Sequence, residues 1–236
     1  MSKEIAILMA AGLGSRMRPL TEKVPKPLVK AYGRSMIDTV ISGLEERGID
    51  HIYVVVGYLG DQFNFLTEKY SNLTVVRNTE YNEKNNISSI HAVADIMKTA
   101  DCFICEADLF VSDPIIFKSK LDNSCYYGKM VKGYSEDWVF DINSEGIITR
   151  VGKCGTDTYN MVGISYFKQK DAEIIADAVK EAYKHEGHEQ LYWDEIVDQQ
   201  LGKLNLRINP VTADQIVEID SVDELAELDP DYKKYN

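Results

Sequence analysis

Apolar positions in the first half of the chain fall into two alternating patterns. Residues 5–9 and 52–56 are short continuous apolar runs, the mark of strands buried on both faces. Between them, Met36, Ile37, Val40, Ile41 and Leu44 recur at helical spacing, which predicts a helix over 35–47 that stops at Gly48. The alternation continues with a helix over 61–70, a strand over 73–77, a helix over 87–97 and a strand over 102–105. Strand and helix in turn imply an α/β fold: a doubly wound, mostly parallel, Rossmann-like sheet with right-handed crossovers.

The pattern changes near residue 122. Short strand candidates over 126–131, 138–142, 147–151 and 162–167 are separated by turn residues, with a hairpin turn at Asn143-Ser144-Glu145-Gly146. Helices follow over 171–184 and 191–201, then strands over 204–208 and 216–219 and a helix from Ser221 to Leu228. No repeat or linker interrupts the chain. The expectation is a single domain over residues 1–236, with a nucleotide-binding half to about residue 122 and an acceptor-binding half, a small β-rich extension and lid, from about 123.

The chain has 236 residues and a net charge of −12, which disfavours a general nucleic-acid binder. No run reaches the roughly 18 apolar residues of a membrane span. The N-terminal run lacks a basic lead-in and flows into a glycine-rich turn, so it is expected to be a strand and not a signal peptide. A cytoplasmic protein with reduced thiols is therefore expected, and Cys102, Cys105, Cys125 and Cys154 make no disulfide framework. The C-x-x-C at Cys102 and Cys105 lies on a strand, where residues three apart face opposite sides. His185 and His188 are expected on a solvated loop.

The strongest chemical signal follows the first strand: Ala10-Ala11-Gly12-Leu13-Gly14-Ser15-Arg16-Met17-Arg18-Pro19-Leu20-Thr21, then Pro25-Lys26-Pro27-Leu28. Glycines at a strand end let backbone N–H groups approach a phosphate. Met17 stands where a third dinucleotide-binding glycine belongs, and no Gly-Lys-Ser/Thr follows, so neither common phosphate loop fits. Arg16 can fork onto phosphate oxygens. Lys26, between two prolines that are expected to hold it extended, suits charge stabilisation at phosphorus.

These residues resemble the signature of the nucleotidyltransferases, the nucleoside-diphosphate-sugar pyrophosphorylases, and within them the short bacterial CTP:phosphocholine cytidylyltransferases. The resemblance extends over nearly the whole chain. It implies attack of a phosphomonoester on the α-phosphorus of an NTP with loss of pyrophosphate. Arg16 and Lys26 would then bind the triphosphate, and Ala10, Ala11, Gly12, Gly14 and Ser15 would line it. In-line displacement builds negative charge, so Mg²⁺ is expected on strand-end carboxylates. Asp108 and Asp220 match the metal aspartates of the family; Asp220 also suits a helix N-cap. Glu106 and Glu218, two residues back on the same strand faces, are weaker candidates.

Asn85, Asn86 and Ser88 lie where the family contacts base and sugar, and amides and hydroxyls there can read a pyrimidine edge or simply cap a helix. Cytosine over uracil is carried by the resemblance. Trp138, Tyr192, Trp193 and Asp194 are the acceptor candidates: aromatic walls with a carboxylate suit a quaternary ammonium, while helical spacing equally places the aromatics in the core. The expected partners are small molecules, CTP and phosphocholine, with no nucleic acid and no membrane; the sequence carries no signal of oligomeric state. Another small phosphorylated or phosphonate amine, such as 2-aminoethylphosphonate, or a sugar 1-phosphate is the alternative acceptor. A non-catalytic nucleotide-binding module is a further alternative.

Overall fold

The computed structural model describes residues 3–235, so Met1, Ser2 and Asn236 lie outside the described residues. Its strands are β1 (Glu4–Ala10), β2 (Lys30–Ala31), β3 (Arg34–Ser35), β4 (His51–Val56), β5 (Leu73–Arg77), β6 (Asp101–Glu106), β7 (Leu109–Val111), β8 (Cys125–Ile142), β9 (Ile148–Phe167), β10 (Arg207–Pro210) and β11 (Ile216–Glu218). The helices are α1 (Met36–Arg47), α2 (Phe65–Lys69), α3 (Ile87–His91), α4 (Ala94–Met97), α5 (Gln169–Ala182), α6 (Trp193–Gln200) and α7 (Val222–Leu228). Seven strands form one sheet in the order β10-β8-β9-β6-β1-β4-β5. β6, β1, β4 and β5 run parallel, and β9 joins β6 antiparallel. The fold is thus the α/β arrangement expected for a nucleotidyltransferase.

Buried strands without polar faces need cover on both sides. Along β1, Ala6 and Leu8 pack on the α1 side with Val40, Leu44 and Phe103. Ile5 and Ile7 point the other way, toward Ile90, Ile175 and Val179 from α3 and α5. Cys102 and Cys105 divide in the same manner between these two cores, and both are buried and free. A third core of Met17, Val29, Met36, Phe110, Ile219 and Leu225 ties the glycine-rich loop to the C-terminal segment.

Several predicted boundaries shift. The four strand candidates after residue 122 are two long bulged strands, β8 and β9, whose register breaks repeatedly between Tyr126 and Ile142. They extend the main sheet. Bulges let one strand turn without ending, which the spacing of turn residues does not reveal. The expected helix over 87–97 is two short pieces, α3 and α4, and the helix over 61–70 is a 3₁₀ turn over Gly60–Phe63 followed by α2. α1 begins and ends as expected, with Ser35 as N-cap and Gly48 in the left-handed region at φ 83°.

Candidate active site

The carboxyl ends of β1 and β6 open onto a cleft of about 380 Å³, the place where open α/β sheets form sites. Ala10, Ala11, Gly12, Gly14, Ser15, Arg16 and Lys26 all line it, as do Asn85, Asn86, Ser88, Asp108 and Asp220. The residues predicted for nucleotide and metal are thus brought to one surface.

Local packing fixes the loop. Gly14 has φ 60°, and a Cβ there would come within 2.9 Å of Lys26 Cβ, so this position admits only glycine without rearrangement. Gly12 is different, since a Cβ would meet nothing within 4 Å. Thr21 Oγ1 donates to Gly14 O at 2.7 Å and closes the loop onto the following turn. Met17, fully buried, anchors it. Pro25 is extended, but Lys26 is not: it opens a 3₁₀ turn, with the Val29 N–H donating to Lys26 O at 3.0 Å. The expectation of an extended Lys26 is therefore corrected. Proline fixes its own φ and biases the residue before it toward extended backbone, and Lys26 is held in the turn against that bias by the N–H groups of Leu28, donating to Pro25 O at 2.9 Å, and of Val29.

The turn drives Lys26 Nζ into the cleft, where it donates to Asp108 Oδ2 at 2.7 Å and Asp220 Oδ1 at 2.6 Å. Arg16 meets the same Asp220 oxygen at 2.8 Å. Burial pulls the Lys26 pKa down, but the two carboxylates outweigh it and the net shift is upward. Lys26 stays charged. Capping at the start of α7 falls to Ser221, which accepts from the Glu224 N–H, so the Asp220 side chain is left for the cleft.

Glu106 and Glu218 line the same cleft. Burial, and then the charges of Asp108 and Glu218, push Glu106 well above the usual carboxylate range. Burial and the charges of Asp108 and Asp220 push Glu218 up to about 8. Gly163 has φ 69°, and a Cβ there would come within 2.7 Å of Glu106 Oε2, so both its backbone and its neighbour favour glycine. The cleft therefore gathers four carboxyl groups, Glu106, Asp108, Glu218 and Asp220, with Lys26 and Arg16. Among the described residues no three metal-ligating side chains gather at one point.

Asn85 and Asn86 line the cleft and also bridge it to α6. The Asn85 backbone N–H donates to Glu189 O at 2.8 Å, and its Nδ2 to Gln190 O at 3.2 Å. Asn86 Oδ1 accepts the Trp193 N–H at 3.0 Å, satisfying a donor of the first turn of α6. Ser88 Oγ donates to Asn85 O and accepts from Asn78 Nδ2.

On the acceptor side, Asp194 is buried, accepts from Tyr126 OH at 3.0 Å, and is pushed by burial up to about 7. It lines a second, smaller cavity that also touches Glu106, Trp193 and Gly163. Trp193 is core: it stacks on Tyr126 and meets Phe167 edge to face, while its Nε1 has no partner. Trp138 and Tyr192 meet edge to face at 5.4 Å. They stand outside the lining of both cavities. His188 is less solvated than expected: its ring packs at 4.4 Å on Tyr183 and its Nδ1 lies 2.7 Å from His185 O.

Asn78, Tyr81 and Lys84 stand in the cleft wall without having been expected there from the sequence. Lys84 is adjacent to Asn85 and carries a charge, a signal that was available. Lys153, whose ammonium lies over Trp138 and Tyr192, was not expected either. No local feature marks it, because the contact depends on the bulged register of β8 and β9.

Residues 5–131 match the Nucleotidyl transferase family profile. The chain belongs to the nucleotidyltransferase family. It is 52% identical over 230 residues to a 2-aminoethylphosphonate cytidylyltransferase of Lancefieldella rimae, covering 98% of this chain and 94% of that protein. It is 32% identical to a choline-phosphate cytidylyltransferase of Haemophilus influenzae, covering 97% and 99%. The solved CTP:phosphocholine cytidylyltransferase of Streptococcus pneumoniae superposes with a TM-score of 0.89 at 30% identity, covering 98% of this chain and all of that one. The relatives place this nucleotidyltransferase among the cytidylyltransferases. No helix among the described residues is long and apolar enough to cross a membrane.

Proposed function

We propose that this nucleotidyltransferase joins CTP to 2-aminoethylphosphonate and releases pyrophosphate. The observation that supports the reaction is Lys26, held between Asp108 and Asp220 on the floor of a cleft rimmed by the glycine-rich loop. The choice of acceptor is supported by the higher identity to the Lancefieldella rimae enzyme than to the choline-phosphate enzymes. This reverses the order of acceptors drawn from the sequence. Phosphocholine is the second reading, supported by the likeness to the Streptococcus pneumoniae structure.

The triphosphate lies along the loop from Gly12 to Ser15, with Arg16 and Lys26 meeting its oxygens. A phosphonate oxygen of the acceptor attacks the α-phosphorus, and the bond from that phosphorus to the pyrophosphate oxygen breaks. The electron pair and the negative charge leave with pyrophosphate. No covalent enzyme intermediate is needed, because the acceptor already carries an anionic nucleophile. Lys26 is positively charged and rigidly placed, so it stabilises charge on the five-coordinate phosphorus without reorganising. Asp194 supplies a buried carboxylate for the acceptor ammonium.

The donor set suits Mg²⁺, which takes hard oxygen ligands and is commonly held by one or two carboxylates plus substrate phosphates. Asp108 and Asp220, facing one another across a single ammonium, would hold it. When bound, the ion adds a compact positive charge to the phosphate oxygens.

Pyrophosphate release tests the reading, with CTP or UTP against 2-aminoethylphosphonate, phosphocholine and a sugar 1-phosphate, each with Mg²⁺ and after chelation. Release with CTP and 2-aminoethylphosphonate, lost on chelation, is expected. Release confined to a sugar 1-phosphate would replace the acceptor. Tight CTP binding with no release from any acceptor would make the protein a binding module.

A further inference from the structure

Lys153, an exposed side chain of β9, brings its ammonium over the rings of Trp138 and Tyr192. Lys153 Nζ lies 6.0 Å from the Trp138 ring centroid and 5.4 Å from that of Tyr192, within reach of the ring quadrupoles. Trp138 and Lys153 are direct partners in the β8–β9 ladder, so the contact is built into the strand register. The backbone beyond is pinned as well: Arg150 pairs with Asp141 and donates to Lys153 O at 3.2 Å and to Cys154 O at 2.9 Å. Among the described residues Lys153 forms no ion pair, so the two rings are its charge-recognising partners.

The aromatic pair is joined to the acceptor side by sequence. Tyr192 is the N-cap of α6, and Asp194, two residues on, lines the small cavity with Glu106. A cation brought to the rings would meet the Lys153 ammonium at close range, and like charges repel there. The cavity itself is about 10 Å³, room for about one water-sized group. An –NH₃⁺ group has that size. A trimethylammonium group, with three methyls around the nitrogen, does not.

We propose that Lys153 is a specificity-determining residue, whose ammonium fills the Trp138–Tyr192 pair and shuts out acceptors with a quaternary ammonium. Primary amines are left, since they fit the cavity beside Asp194 and need no aromatic walls. Selectivity of this kind comes from a repulsive element as much as from an attractive one. The inference rests on the cytidylyltransferase reading for its substrates, but the state of the aromatic pair is measurable without turnover.

The test titrates choline chloride into the full-length native protein, Lys153→Met and Lys153→Arg, following tryptophan fluorescence. Lys153→Met keeps the apolar stem and removes the charge; Lys153→Arg keeps a cation in place. Saturable quenching in the Met variant, at least about tenfold tighter than in the native or Arg proteins, is expected. Equal choline affinity in all three overturns the proposal. In turnover, the ratio of kcat/KM for phosphocholine over 2-aminoethylphosphonate should rise about tenfold or more in Lys153→Met alone, and an unchanged ratio also overturns it. If no acceptor yields pyrophosphate with the native protein, the cytidylyltransferase reading fails while the choline titration still decides the role of Lys153.

Discussion

At the end of β1 the cleft is made of backbone and short turns, whereas its wall toward α6 is made of side chains that reach across the chain. Gly14, Thr21 and the Lys26 turn lie within thirteen residues of sequence and brace one another directly. Toward α6, Asp194 in the smaller cavity depends on Tyr126, and α6 on Asn86, partners 68 and 107 residues away. Under the proposed function, the first region takes the part of the substrate that never varies, the triphosphate. The second can change its occupant through a few substitutions while the loop stays intact. Such a division would let relatives named for different acceptors resemble this chain over its whole length.

The largest effect should come from the loop side. Lys26→Met should lower kcat about 10³-fold, the order seen when one preorganised donor to a transition-state charge is lost. The variant also leaves Asp108 and Asp220 facing each other without their shared ammonium, so thermal unfolding should be followed alongside steady-state rates. A rate within tenfold of native in a folded Lys26→Met protein would mean that the two regions are not divided as described.

An intermediate effect should come from Asp194→Asn, and it should be confined to the acceptor. KM for 2-aminoethylphosphonate should rise about tenfold with KM for CTP unchanged. The pH dependence carries two opposite signs. Burial raises the Asp194 pKa to about 7 against the ordinary 3.8, so the folded state holds its proton more tightly than the unfolded one. That contribution to stability is full below about pH 4 and lost as pH rises through 7. The Asn variant should therefore match the native Tm near pH 4 and exceed it near pH 8. Acceptor affinity runs the other way: only the ionised carboxylate pairs with an ammonium, so native KM should fall as pH rises through 7. A flat native KM profile would remove Asp194 from the acceptor site.

What the sequence disclosed follows the same division. The glycine-rich loop, Arg16, Lys26, Asp108 and Asp220 were legible from local chemistry: a strand end, a positive φ, an acid after an apolar run, although β6 and β11 themselves end at Glu106 and Glu218, two residues before the aspartates. Even there the 3₁₀ turn at Lys26 was misjudged, since two flanking prolines are compatible with more than one backbone path. The long strands β8 and β9 were read as four pieces because bulges imitate turns, and with that register went the Trp138–Lys153 pairing. The tie between Asn86 and the first turn of α6 is equally invisible to local pattern. Asn85 and Asn86 were expected either to contact the base or to cap a helix; both line the cleft, and they also carry the seam toward α6.

The smallest effect should come from that seam. Asn86→Ala frees the Trp193 N–H and should raise acceptor KM about threefold to fivefold, the cost of a single hydrogen bond. Asn86→Asp retains the accepting oxygen and should restore most of the loss. Equal defects in the Ala and Asp variants would mean that Asn86 acts on the nucleotide and not on α6.

Phosphorus-31 NMR of the protein with CTP, 2-aminoethylphosphonate and Mg²⁺ follows the transfer itself. Loss of the CTP resonances, appearance of pyrophosphate, and a new cytidylyl phosphorus coupled to a phosphonate phosphorus through one bridging oxygen are expected. Unchanged CTP, or CMP and pyrophosphate without the coupled pair, would contradict the proposed transfer.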